Sequence, residues 1–147
     1  MPYDHLLKQG RMKEYTATSS EVQQLLKVAV RDLNAAAHNL DGAPDWAYTM
    51  AYNAILQVSR ALMLYSGYRP RGSDQHATVV EFVKEALGAA HENQTYLFDQ
   101  MRRKRHRVIY EVAGLISKNE AEQAITFSKE FVKQITAMIT KQVDLGI

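Results

Sequence analysis

Residues 45–66, DWAYTMAYNAILQVSRALMLYS, decide the fold. The stretch is free of internal proline and glycine, and as a helix it is apolar on most sides. A helix with no polar face cannot lie on a surface; it belongs at the centre of a bundle. Asn53 and Arg60, seven residues apart, share a face of it and read as structural hydrogen-bonding groups, because a buried helix must satisfy its few polar side chains. Gly67 follows immediately and suits a left-handed C-terminal cap.

Outward from this centre the chain stays helical. The prolines are Pro2, Pro44 and Pro70, and the last two fall where connections are expected. Before the central helix, a helix is predicted from Ser19 or Ser20, with Ser20 and Gln23 spaced as a capping box, to about Leu40 ahead of Asp41-Gly42. Val22, Leu25, Leu26, Ala29, Val30 and Leu33 form its apolar face. A weaker amphipathic piece covers about Asp4 to Tyr15. After the loop Tyr68 to Gly72, a shorter helix is predicted over about Ser73 to Leu87, with His76 in its first turn and Gly88 closing it. Another spans about Asn93 to Leu115. The last starts at Ser117, capped with Glu120, and runs to about Gln142 with a stripe of Ala121, Ala124, Ile125, Phe131, Ile135, Met138 and Ile139. The expectation is an all-α, antiparallel up-and-down bundle of four main helices plus a short N-terminal helix, forming one domain over 1–147 with its core at about 19–142.

Composition agrees with one such domain. The chain has 147 residues, 46% of them hydrophobic, enough for a full-sized core without staples. With no cysteine, disulfides, thiol catalysis and cysteine-ligated metals are excluded. The longest strongly apolar uncharged stretch, Trp46 to Ser59, ends at Arg60 and is shorter than the roughly 20 residues a membrane span needs. The opening MPYDHLLKQGRMKEY carries charges where a secretory signal has its apolar centre. A cytoplasmic location and no membrane association are expected.

Charge is distributed unevenly. In the run Arg102-Arg103-Lys104-Arg105-His106-Arg107 five of six residues are Lys or Arg; without those five the chain holds 13 basic residues against 16 acidic. A local basic cluster in an otherwise slightly acidic chain points to a phosphate or another polyanion. Register sharpens this. Arg105 shares a helix face with Phe98, Met101, Val108, Ile109 and Val112, so a guanidinium sits in the apolar stripe. It cannot be deprotonated and is costly to bury alone, so it needs an internal acid, a subunit interface or an anionic ligand. Asp99, Arg102, His106 and Tyr110 form a second line beside it, while Arg103, Lys104 and Arg107 point further out.

Other chemistries find no support. Glu-x-x-His pairs for a carboxylate-bridged metal centre are absent, and the five histidines show no ligand spacing. There is no P-loop, dinucleotide fingerprint or nucleophile elbow. The eight tyrosines are spread along the helices and suit packing better than base stacking. No metal and no cofactor are expected.

Four segments, LLKQGRMKEY (6–15), AYNAILQVSRALMLYSGYRPRG (51–72) with the following His76, RRKRHRVIYE (102–111) and SKNEAEQAITFSKEFVKQI (117–135), resemble in order and spacing the HEPN domains of prokaryotes. The resemblance implies a small helical bundle that forms homodimers, with two signature helices meeting across a cleft. Many such proteins are metal-independent ribonucleases, often toxins paired with a small nucleotidyltransferase antitoxin. Their signature is an arginine, an adjacent polar residue and a histidine about five positions on. Laid on this chain, Arg105 takes the arginine place, His106 the polar place, and Tyr110 stands where the histidine belongs. A phenol with a pKa of about 10 is a far weaker base at neutral pH than an imidazole at about 6.5.

Two outcomes follow. Either His106 supplies the base, with Arg105 and Arg102 stabilising charge on phosphorus, or catalysis is absent and the cleft only binds phosphate, with Tyr110 donating a hydrogen bond. The expectation is binding of nucleotide or RNA phosphates at a dimer cleft by Arg102, Arg103, Lys104 and Arg107, with Arg105 placed where the apolar stripe meets its partner. A module docking a nucleotidyltransferase partner, and an active endoribonuclease using Arg105, His106, Tyr110 and Arg102, are the alternatives.

Overall fold

The computed structural model describes residues 1–110 and 114–144, the last four of these in backbone only. Six helices and two short strands follow in the order α1 (Asp4–Lys8), β1 (Met12–Glu14), α2 (Ser19–Asn39), α3 (Pro44–Tyr65), β2 (Tyr68–Pro70), α4 (Gln75–Leu87), α5 (Glu92–Tyr110) and α6 (Lys118–Asp144), with one 3₁₀ turn at Ala89–His91. The all-α bundle read from the sequence is the architecture found.

Its centre is α3, which packs on α2, α4, α5 and α6. Ala47, Ala51, Ala54 and Ala61 are fully buried, and such small side chains let neighbouring helices come close. Against this face α6 buries Ala121, Ile125, Phe131, Ile135 and Ile139. Its Ser128 hydroxyl donates to the Ala51 carbonyl at 3.0 Å, satisfying a buried polar group at the contact. α5 adds Phe98 and Met101.

Local signals explain the ends. Gly67 has φ of +97°, the left-handed conformation expected after α3. Ser117 caps α6 by accepting from the Glu120 N–H at 3.1 Å. α2 starts at Ser19, but its capping box is Thr18 with Glu21 and not Ser20 with Gln23: the Thr18 hydroxyl accepts from the Glu21 N–H and the Glu21 carboxylate from the Thr18 N–H. Val30, expected on the inner face of α2, is 52% exposed. The expected end of the α5 helix at Leu115 is too late, since Gly114, with φ of +72°, and Leu115 are outside it. Val112 and Glu111 lie outside the described residues.

The larger departure is at the N-terminus. The piece expected as one amphipathic helix over 4–15 divides into α1 and β1, and β1 pairs antiparallel with β2, Met12 opposite Pro70 and Glu14 opposite Tyr68. Gly10, at φ +70°, turns the chain between them. This ribbon carries the chain back along the bundle after α3. The start of α4 therefore meets the first half of α3, His76 against Tyr52, while Phe82 further along meets Tyr68 beyond the end of α3. Among the described residues no helix is long and apolar enough to cross a membrane.

Candidate phosphate-binding cleft

The basic run lies on α5, and the bundle divides it between two faces. Phe98 and Met101 enter the core, Val108 is partly covered, and Ile109 and Tyr110 are exposed, so the apolar stripe opens toward solvent at its C-terminal end. Arg105 sits at this transition. Its guanidinium carbon is 5.7 Å from the centroid of the Tyr52 ring, a cation–π contact from the centre of α3. Its Nε is buried without a hydrogen-bond partner. Among the described residues no carboxylate pairs with it, so the internal acid that would make it a simple structural charge is missing there.

Arg102, Arg105, His106 and Tyr110 converge with Asp74, Gln75 and His76 around an open cleft of about 360 Å³. Arg102, which lines the cleft, is held by its Nε–H to the Asp99 carboxylate at 3.0 Å. His106 and Tyr110, one turn apart, place their ring centroids 4.8 Å from each other, and both are exposed. Asn53 and Arg60, expected as structural hydrogen-bonding groups, make no side-chain hydrogen bond among the described residues. The charge of Arg60 is instead felt at Tyr52 and His76.

His76 joins the site although the sequence does not mark it as a site residue. Its Nδ1 is 3.0 Å from the Tyr52 hydroxyl, and it is partly buried. Burial, then the nearby Arg105, Arg60 and Arg102, push the imidazole below its ordinary pKa, so it is uncharged at neutral pH. Burial raises the Tyr52 phenol, which stays protonated. The sequence carries a partial signal for His76 in its place shortly past the loop. Only the β1–β2 ribbon, which returns the chain to the level of Tyr52, brings it to α5. Asp74, before it, has φ of +56°, a left-handed conformation aspartate tolerates better than most residues.

Arg103, Lys104 and Arg107 face elsewhere. They rim a groove of about 540 Å³ between α5 and α6 whose walls include Leu97, Met101 and Phe127. Lys104 pairs with Glu120 of α6, and Arg103 with Asp99 at 3.0 Å. The five cations grouped by sequence are thus divided, Arg102 and Arg105 to the cleft and the other three to the groove. Elsewhere, His5, Glu81 and Glu85 come within 4.8 Å of one another, although their sequence spacing gives no such sign. Glu81 there already accepts from Arg11 at 2.7 Å, so a cation occupies it.

Comparison with known proteins bears on fold and family. No curated protein matches the chain. The solved structure of an archaeal HEPN homologue superposes with a TM-score of 0.63 at 19% identity, covering 80% of this chain and 97% of that one. At that identity the likeness is one of fold. The model of the HEPN domain matches residues 22–138, which takes in α3, the cleft residues of α4 and α5, and most of α6. The chain belongs to the HEPN domain family.

Proposed function

We propose that this HEPN domain binds nucleotide or RNA phosphates in the cleft between α4 and α5, with Arg105 as the central cation and Arg102 beside it. The observation that carries the reading is the Arg105 guanidinium, seated on Tyr52 with a buried, unpartnered Nε and facing open space rather than a carboxylate. Leaving such a donor unsatisfied costs about 1–3 kcal/mol. An anion in the cleft that Arg105 lines pairs with the guanidinium charge, as no carboxylate among the described residues does, and RNA or a nucleotide supplies such an anion. The solvent-facing Ile109 and Tyr110 beside the cleft suit a homodimer in which two α5 helices meet.

The test is fluorescence anisotropy with labelled single-stranded RNA. Arg105→Gln weakens binding at least tenfold, and wild-type affinity falls about twentyfold between 50 and 200 mM salt, as expected for roughly three neutralised phosphates on a single strand. RNA binding that is salt-insensitive or indifferent to Arg105→Gln refutes the cleft.

A second reading belongs to the α5–α6 groove. Its apolar walls and the Arg103, Lys104 and Arg107 rim suit an acidic segment of a protein partner, for which a nucleotidyltransferase of a toxin–antitoxin pair is the expected class. Changing those three residues to Ser separates the readings. Under the cleft reading RNA binding weakens modestly and equally for all sequences, whereas under the groove reading partner capture is lost and RNA affinity is kept.

A further inference from the structure

The surroundings of His76 are assembled from α3, the turn before α4, and α5. Tyr52 comes from the first half of α3, Arg60 from its second half, Asp74 from the turn before α4, and Arg102, Arg105, His106 and Tyr110 from α5. Tyr52 Oη engages Nδ1 at 3.0 Å, and Tyr52 is itself fully buried, so the ring is fixed in place by a rigid partner. With Nδ1 committed, Nε2 is the nitrogen left for the cleft, which His76 lines.

Three guanidinium groups, those of Arg105, Arg60 and Arg102, act on this ring against a single carboxylate, Asp74. In the empty cleft that imbalance and burial keep the imidazole neutral. A phosphate arriving between Arg102 and Arg105 offsets part of that imbalance, because its charge lies closest to the groups whose field opposed protonation. Resting on the phosphate-cleft reading above, we propose that His76 is the third phosphate-binding group of the cleft: with Nδ1–H donating to Tyr52 Oη, Nε2 takes up one proton as the anion binds and donates it in a hydrogen bond to the anion. Phosphate and proton then bind cooperatively. A merely structural histidine, satisfied by Tyr52 and indifferent to the ligand, would do neither.

The probe is a 2′-O-methylated oligouridylate without terminal phosphates, chosen because its diesters keep one charge each from pH 5 to 8 and cannot be cleaved through the 2′ oxygen. The His76 ring resonances of the whole protein, followed by NMR over that pH range, titrate below the ordinary imidazole value without the oligonucleotide and shift upward when it is bound. Affinity measured by anisotropy rises a few-fold from pH 8 to pH 6, because the full tenfold of a one-unit pKa shift is reached only below both pKa values. His76→Gln abolishes this dependence, His106→Gln retains it, and Tyr52→Phe, which keeps the ring of the buried side chain, reduces it by freeing His76 to turn.

If the oligonucleotide binds through Arg105 but the His76 resonances do not move, the proposal is wrong and the cleft reading stands. The proposal fails in the same way, with the cleft intact, if the pH dependence persists in His76→Gln and vanishes in His106→Gln. If Arg105→Gln leaves affinity unchanged at every pH, the cleft reading itself fails.

Discussion

In the proposed cleft, position 110 carries a phenol, and catalysis at that cleft would turn on it. Tyr110 is 67% exposed, so replacing it disturbs no core packing, and its ring lies beside that of His106. At the place where the family resemblance sets a histidine, the phenol can donate a hydrogen bond to phosphate, but at neutral pH it accepts a proton from a ribose hydroxyl poorly. Purified wild type is therefore expected to leave labelled RNA intact in the presence of a chelator. Tyr110→His, which restores an arginine and histidine five positions apart, should introduce slow cleavage. Metal-independent cleavage by the wild type that drops about 100-fold or more in His106→Ala would instead make His106 the working base. Loss confined to Tyr110→Phe would assign the chemistry to the phenol.

At the scale of elements, one carboxylate ties three helices together. Asp45, in the first turn of α3, accepts from the Gly114 N–H at 2.7 Å and the Ile116 N–H at 3.0 Å, so it clips the connection between α5 and α6 to the central helix. That connection ends just before the Ser117 cap, and Ile116 beside it is buried. Asp45→Ala should cost about 1–2 kcal/mol, the scale of charge-assisted hydrogen bonds that are partly solvated. For a domain of this size that corresponds to a fall of roughly 3–6 °C in the thermal midpoint, readable by calorimetry. An unchanged midpoint would mean that core packing alone holds the connection. Because the clip lies near the C-terminal end of α5, the same variant should also weaken RNA binding if the cleft depends on how α5 is seated.

Across the whole molecule, polar and apolar surfaces meet along α5. Tyr96 and Leu97 near its start and Ile109 and Tyr110 at its end are exposed, with the two basic faces between them. A symmetric contact through this helix would cover the apolar positions and set two copies of Arg105 near one axis, where an anion would relieve their repulsion. Light scattering at micromolar concentration should give a dimer mass, and Ile109→Asp should shift it toward the monomer. A monomeric mass for the wild type across that range would remove the composite cleft while leaving the cleft of each subunit in place.

Helical periodicity, capping residues and glycine positions are local properties, and they make most of this fold legible in the sequence. The central place of α3 follows from its lack of a polar face, and the buried stripe of α6 follows from its spacing. The position of Arg105 in an apolar stripe is likewise readable, because a helix dictates which residues share a face. The β1–β2 ribbon is not: three-residue strands carry too few side chains to show a period, and their pairing joins segments far apart in the chain. With it goes the return of α4, and hence the meeting of His76 with Tyr52 and Arg105. The division of the basic run also escapes the sequence, since the salt bridge of Lys104 depends on where α6 places Glu120. Periodicity along one chain determines which face of a helix is apolar; only the packing of several helices decides which charge finds a partner and which is left facing a cleft.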